Sequence, residues 1–169
     1  MAALATSRER MSQAEAKAIE QIALQKDSKL LRRQADNARG KSELVAKAAM
    51  SRLVAIVATH KPGTVEYECW AMINTIEELR RLEGHPAKMG KIRPKISKLG
   101  EIAALEYVVQ QETDGFAEII AYGMPELTAE AIVLRFPQHF TVQAQSASRT
   151  RLREAGFEVN EAGEVSAVS

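Results

Sequence analysis

The sequence predicts a mostly α-helical protein, and three observations lead to this expectation. Hydrophobic residues make up 46% of the 169 residues but aromatic residues only 5%, so the core is expected to consist of aliphatic side chains, as between packed helices. Apolar residues recur at helical spacing along most of the chain. Glycine and proline punctuate these periodic stretches where helices would end.

The first helix is expected over residues 12–38. It begins with SQAE, a capping box in which Ser12 is the N-cap and Glu15 stands three residues later. Gly40 is expected to end it. The apolar stripe is thin, so the helix is expected to be solvent-exposed or to pair with a second chain. The stripe consists of Ile19, Ile22, Leu30 and Leu31.

Two more helices are expected in the N-terminal half, over 42–59 and 64–83. HKPG ends the first of them, because proline cannot continue a helix and glycine accepts the reversal. Gly84 and Pro86 end the second. Together with the first helix they define a helical region, 1–87, that supplies the interface of a homodimer in this interpretation.

The segment KMGKIRPKISKLG, residues 88–100, is rich in lysine, lacks acids and contains Pro94. It is interpreted as a basic connector between 1–87 and a second domain, 101–169. The charge changes sign at this point, from a net +8 over 1–100 to a net −7 over 101–169. This split indicates either one basic and one acidic surface, or two halves that neutralise each other by packing.

Helices are expected in the acidic half at EIAALEYVVQQ, at DGFAEIIAYG and over 126–136, the last capped by Thr128 or begun at Pro125. Pro137 ends the last of these. Thr141 is a suitable N-cap and Gly156 a suitable stop for a final helix over 142–155. Beyond it, FEV and EVSAV alternate around NEAG, which predicts a short β-hairpin.

The order of helix, turn, helix and hairpin resembles the winged helix-turn-helix superfamily of DNA-binding proteins, over about residues 100–169. TAEAIVLRF stands as the supporting helix, TVQAQSASRTRLREAGF as the recognition helix and FEVNEAGEVSAV as the wing. The resemblance implies a winged-helix-like domain of three helices and a hairpin. It also implies a transcriptional regulator or a maintenance factor of a mobile element, with double-stranded DNA as its partner.

A helical wheel assigns roles within the recognition helix. With Leu152 inward, Gln145, Ser148 and Ala155 also face the core. Gln143, Ser146 and Thr150 face outward and suit contacts to base edges in the major groove. Arginines on both flanks are expected to hold phosphates, and lysines and an arginine of the connector add contacts to the DNA backbone. These cations are Arg149, Arg151, Arg153, Lys88, Lys91, Arg93, Lys95 and Lys98.

Three alternatives remain open. In a second register, 126–136 is the recognition helix and presents Glu126 and Glu130 to DNA, which would cost affinity. In a different class of function, the chain is an adaptor, inhibitor or assembly subunit whose acidic surface at 101–130 binds a basic protein. A third possibility places the nucleic-acid contact in the basic half.

No enzymatic signature is recognised, and no cofactor is expected. The single cysteine, Cys69, excludes an internal disulfide and a cysteine-based zinc site, and the three histidines are far apart in the sequence. No apolar run is long enough to span a membrane. The start, MAALATSRERMSQ, lacks the features of a secretory signal, so a cytoplasmic location is expected.

Overall fold

The computed structural model describes residues 11–168 and is mostly helical, with one short antiparallel hairpin near the C-terminus. The predicted fold class is therefore confirmed. The stretch 1–10, where no secretory signal is expected, lies outside the described residues. The chain divides into two compact units, Met1–Val57 (unit 1) and Ala58–Ser169 (unit 2). The division falls after Val57 and not within the predicted connector at 88–100.

Unit 1 contains α1 (Gln13–Leu24), α2 (Ser28–Ala38) and α3 (Glu43–Val57). The capping box at Ser12 is present as predicted, with both reciprocal hydrogen bonds to Glu15. The single helix expected over 12–38 is interrupted, however. Asp27 accepts hydrogen bonds from the amides of Lys29 and Leu30 and so starts a new helix as its N-cap.

Two of the four residues of the thin apolar stripe, Ile22 and Leu31, are buried within the same chain. These two residues form a core with Ala35 of α2 and with Ala49 and Leu53 of α3. Leu30 remains partly exposed. Burial against α3 removes the need for a second chain, so the stripe does not support the predicted dimer interface.

Unit 2 is built around α6. Its helices are α4 (Val65–Leu82), α5 (Ile92–Leu99), α6 (Glu101–Val109), α7 (Asp114–Tyr122), α8 (Ala129–Arg135) and α9 (Val142–Glu154). Short 3₁₀ turns, Pro125–Leu127 and Pro137–His139, flank α8. α6 packs against α4, α5, α8 and α9. Its residues Ala104, Leu105 and Val109 are fully buried, as expected for a central helix.

The segment predicted as a connector forms α5 instead. Pro94 is the third residue of this helix. A proline in the first turn is tolerated, because the N–H it lacks would have no partner within the helix. Ile92 and Ile96 are buried, so α5 is part of the folded unit.

The ends of the remaining helices lie close to the predicted positions. Thr64, Thr128 and Thr141 each cap a helix through the side-chain oxygen, and Gly123 ends α7 in the left-handed conformation. The hairpin pairs β1 (Phe157–Val159) with β2 (Val165–Ala167). The order of helix, turn, helix and hairpin is therefore as the sequence predicts.

Candidate nucleic-acid interface

The start of α9 is held by side-chain hydrogen bonds. Thr141 Oγ1 accepts from the amide of Ala144 at 3.2 Å and donates to the carboxylate of Glu106 on α6. The side-chain amide of Gln145 donates to the carbonyls of Pro137 and Phe140, both at 3.0 Å. Gln145 thus ties α9 to the turn that precedes it, which explains a polar residue on the inner side of the helix.

The inner face of α9 matches the helical wheel. Ser148 and Leu152 are buried, and Gln145 and Ala155 are half-buried. Ala144 adds a third buried residue to this face. The helix packs on α8 and α6. Its orientation is therefore fixed by the core, and the opposite face is open.

The open face of α9 contains five of the predicted DNA contacts. Steps of three and four residues place them on one stripe of the helix. The arginines of this stripe form no ion pair with any residue of 11–168, so their charges are available to a partner. We call this stripe the exposed face of α9; its exposed residues are Val142, Gln143, Ser146, Arg149, Thr150, Arg153 and Glu154.

Arg151 has a different role from the predicted one. One guanidinium nitrogen lies 2.6 Å from Oε1 of Glu130, and the group lies over the ring of Phe116, 5.8 Å from its centroid. Glu130 is only 1% exposed. Removing Arg151 from this pair would leave a buried carboxylate without its counter-ion, so the structure commits Arg151 internally instead of to a phosphate.

Glu130 lies in the first turn of α8, within a run of buried small and aliphatic residues. Burial raises the pKa of its carboxyl above the ordinary value, and a backbone hydrogen bond and the pairing with Arg151 oppose this rise. A signal in the sequence is the position of this acid inside the apolar run AEAIV, all five residues of which are buried. A buried glutamate cannot face DNA.

The second register for DNA binding is therefore wrong, and Arg135, the one arginine of 126–136, is also engaged. Its guanidinium lies 2.9 Å from a carboxylate oxygen of Glu68 and donates to the carbonyls of Glu126 and Gly163. These contacts join α8 to α4 and to the hairpin. The role of Arg135 is to hold these elements together.

The basic segment contributes fewer free cations than predicted. Arg93 forms two hydrogen bonds of 2.7 Å with the carboxylate of Glu77 and lies over Trp70. The ammonium of Lys95 lies 3.8 Å from the ring centroid of Tyr107. The remaining members are exposed: Lys88, Lys91 and Lys98.

α6 brings α5, the helix of the basic segment, and α9 together, because both helices pack on it. Lys95 of α5 contacts Tyr107, and the N-cap residue of α9, Thr141, contacts Glu106. Consecutive residues of one helix point to adjacent sides. α5 and the start of α9 therefore lie on neighbouring flanks of the same turn of α6.

The acidic segment 101–130 is largely used within the fold. Four of its seven acids bind groups of unit 2. Glu118 takes three hydrogen bonds from Arg80, and Glu101 accepts from the indole N–H of Trp70 at 3.0 Å. Glu106 and Glu130 have the contacts described above. Among these contacts, the pair of Glu118 with Arg80 joins a charge of the acidic half to one of the basic half.

Within residues 11–168 no helix is long and apolar enough to cross a membrane, and no group of three or more His, Cys, Asp or Glu side chains could hold a metal ion. No protein-family model matches the chain, and no match is found among curated proteins or solved structures.

Proposed function

We propose that the chain is a DNA-binding protein that places α9 in the major groove of double-stranded DNA. Gln143, Ser146 and Thr150 face the base edges in this arrangement, and Arg149 and Arg153 hold phosphates. Regulation of transcription or maintenance of a mobile element is the role that suits such a protein. The winged helix-turn-helix resemblance of residues 100–169 belongs to the same proposal.

One observation carries the proposal, namely the composition and accessibility of the exposed face of α9. Hydrogen-bonding side chains occupy its middle and two unpaired arginines occupy one flank. α9 has 13 residues and is therefore about 20 Å long, and the major groove admits a helix of this kind.

The surroundings of α9 suggest how the rest of the interface divides. Lys91 and Lys98 of the basic segment are exposed, and they add non-specific contacts to phosphates. The hairpin has exposed glutamates at 158, 161 and 164, whose charges would repel the DNA backbone. The hairpin therefore supports the domain, and the lysine and arginine side chains supply the contacts to the DNA phosphates.

The rival function, an adaptor that binds a basic protein through 101–130, has less support. Such a surface needs several free carboxylates on one face. Four of the seven acids are instead bound to residues of unit 2, and Glu130 is buried.

Fluorescence anisotropy with mixed-sequence duplex DNA at several salt concentrations tests the proposal. The double variant Arg149→Ala/Arg153→Ala should bind more weakly, and its plot of log affinity against log salt should be less steep by about 1.8, or about 0.9 for each lost phosphate contact. Arg151 is left intact in this variant, because its loss would disturb the pair with Glu130.

A matched control removes two exposed lysines of unit 1, in Lys17→Ala/Lys26→Ala. Both double variants lose two positive charges, so a general effect of net charge would reduce their affinities equally. Unchanged affinity and slope in the α9 variant would exclude α9 as the interface. A loss of DNA affinity in the control variant alone would show that DNA contacts unit 1 instead of α9.

A further inference from the structure

Val142, the first residue of α9, is one of the two most exposed large apolar side chains among residues 11–168. It is 81% exposed, the same fraction as Leu24 in unit 1. Val142 lies outside the buried side of the helix, which Ala144, Ser148 and Leu152 form. A single exposed apolar residue is ordinary on a protein surface, so the meaning of Val142 depends on its neighbours.

The neighbours of Val142 on the exposed face of α9 are hydrogen-bonding or cationic. Ser146 lies one turn further along the same side, and Arg149 and Arg153 continue this line towards the end of the helix. Gln143 lies beside Val142 in the first turn. At 1.5 Å per residue, Arg149 begins about 10 Å from Val142 along the helix axis, or about three base pairs of DNA. One side of α9 thus joins an apolar start to two cations.

The start of α9 is fixed by its contacts. Thr141 caps the helix and donates to the carboxylate of Glu106 on α6, and Gln145 donates to two carbonyls of the preceding turn. Valine is also β-branched, so the rotation of the Val142 side chain is restricted in a helix. Groups that are already ordered lose less conformational entropy on binding, so Val142 and Gln143 are suited to base recognition.

The charges of α9 indicate which end of the helix approaches the bases. The first turn contains no acid, whereas the exposed Glu154 ends the helix and the exposed Glu158 follows in the hairpin. Glu106 contacts the start of α9, but its carboxylate accepts hydrogen bonds from Thr141. Exposed acids repel the DNA backbone, and the helix dipole makes the N-terminus the more positive end. The first turn is therefore the part of α9 that approaches the base pairs.

Val142 and Gln143 match the two halves of an A·T pair in the major groove. Thymine is the one standard base that presents a methyl group there, and an apolar side chain recognises it by contact. Adenine presents one acceptor and one donor, which a glutamine amide matches with its N–H and its carbonyl oxygen. The hydroxyls of Ser146 and Thr150 suit several bases, so they add little preference.

We propose that Val142 packs on the methyl group of a thymine and that Gln143 hydrogen-bonds to a neighbouring adenine, so that the first turn of α9 selects A·T pairs. This inference rests on the proposed function and adds the class of base pair that α9 reads. Arg149 and Arg153 supply affinity for any sequence, whereas Val142 and Gln143 supply the preference.

Fluorescence anisotropy with three alternating duplexes at one salt concentration tests this preference. The duplexes are adenine–thymine, adenine–uracil and guanine–cytosine, and uracil differs from thymine only in lacking the methyl group. The adenine–thymine duplex should bind about fourfold more tightly than the adenine–uracil duplex, the effect of one buried methyl group. It should bind at least about fivefold more tightly than the guanine–cytosine duplex, the effect of one matched base contact. Equal affinities for thymine and uracil duplexes would overturn the proposal.

Val142→Ser removes both methyl groups and leaves the cap and the core unchanged. The preference for thymine over uracil should disappear in this variant. Leu24→Ser is the matched control, because Leu24 is equally exposed but lies in unit 1, and it should keep the preference. A preference that persists in Val142→Ser, or that is lost in both variants, would overturn the assignment to Val142.

Gln143→Ala separates the adenine contact from the methyl contact. It should reduce the preference for the adenine–thymine over the guanine–cytosine duplex and keep the difference between thymine and uracil. An unchanged preference over guanine–cytosine would overturn the role of Gln143.

The base preference and the proposed function fail in different ways. Equal binding of all three duplexes, with a salt dependence that weakens in Arg149→Ala/Arg153→Ala, leaves α9 as the DNA interface and overturns the base preference alone. Absence of binding to every duplex overturns the proposed function, and the base preference with it.

Discussion

Arg151 and Glu130 form a 2.6 Å ion pair that joins the last turn of α9 to the buried first turn of α8. The arginine keeps 21% of its side chain exposed, whereas the glutamate keeps 1%. The pair therefore extends from the surface into the core, and it separates Arg151 from the two arginines that remain free on the same helix.

Arg151→Ala should destabilise the chain by about 3–5 kcal/mol, because a buried carboxylate loses its counter-ion. Urea unfolding followed by circular dichroism measures the change. Arg149→Ala is the matched control on the same helix and should stay within about 0.5 kcal/mol of the original stability, since Arg149 is exposed. Equal effects of the two substitutions would contradict a structural role for the pair.

The pH dependence of stability should reveal Glu130. Burial raises the pKa of this carboxyl in the folded chain above the ordinary value of 4.5. At a pH between the pKa of Glu130 in the unfolded chain and its higher pKa in the folded chain, the folded chain holds more protons than the unfolded chain. The contribution of Glu130 to the free energy of unfolding therefore falls as the pH rises through this window, and it is constant above the window.

Glu130→Gln isolates this contribution, because the amide has a similar shape and does not titrate. The free energy of unfolding of the original chain minus that of the variant should decrease from acid to neutral pH. Taking the difference cancels the other carboxyls, including Glu77, whose pKa is lowered by the hydrogen bond from Arg93 although burial opposes the shift. A difference that rises with pH would show that pairing outweighs burial.

Ser148→Ala should leave the stability unchanged or raise it by up to about 1 kcal/mol. The hydroxyl of Ser148 is fully buried and has no hydrogen-bond partner within residues 11–168. Its removal relieves an unsatisfied polar group, and alanine also has the higher helix propensity. Thermal unfolding compares it with Ser146→Ala, which changes only the exposed face of α9; a marked loss of stability at 148 alone would indicate an unrecognised partner.

Gly163→Ala should cost more stability than Gly63→Ala, although both glycines have φ of +81°. A Cβ at Gly63 meets nothing within 4 Å, so only the left-handed backbone is penalised, by about 1 kcal/mol. A Cβ at Gly163 would lie 2.8 Å from Cγ and 3.3 Å from Cα of Arg135. The difference between the two unfolding free energies measures the packing of the hairpin on α8, and equal losses would contradict it.

Features that depend on a few neighbouring residues were predictable. The threonine caps, the capping box at Ser12, the stop at Gly123 and the hairpin all follow from local backbone chemistry. The break before α2 also had a local signal, since Asp27 precedes Ser28 as an N-cap. The helical pattern of apolar residues continues on both sides of Asp27, so this pattern alone predicts one unbroken helix.

The basic segment shows where local signals mislead. A lysine-rich stretch with a proline is typical of a linker, yet Pro94 occupies the first turn of α5, where its missing N–H has no cost. Ile92 and Ile96 supply the buried face. Charge alone therefore did not separate a connector from an amphipathic helix.

The sequence by itself determined the helical class, the order of elements and the outward direction of Gln143, Ser146 and Thr150, because helix periodicity and caps act within one or two turns. Only the tertiary structure decided which charges are free. Arg151 is paired with a residue 21 positions earlier and Arg93 with one 16 positions earlier. Such pairings depend on which helices meet, and this is set by the packing of the whole core.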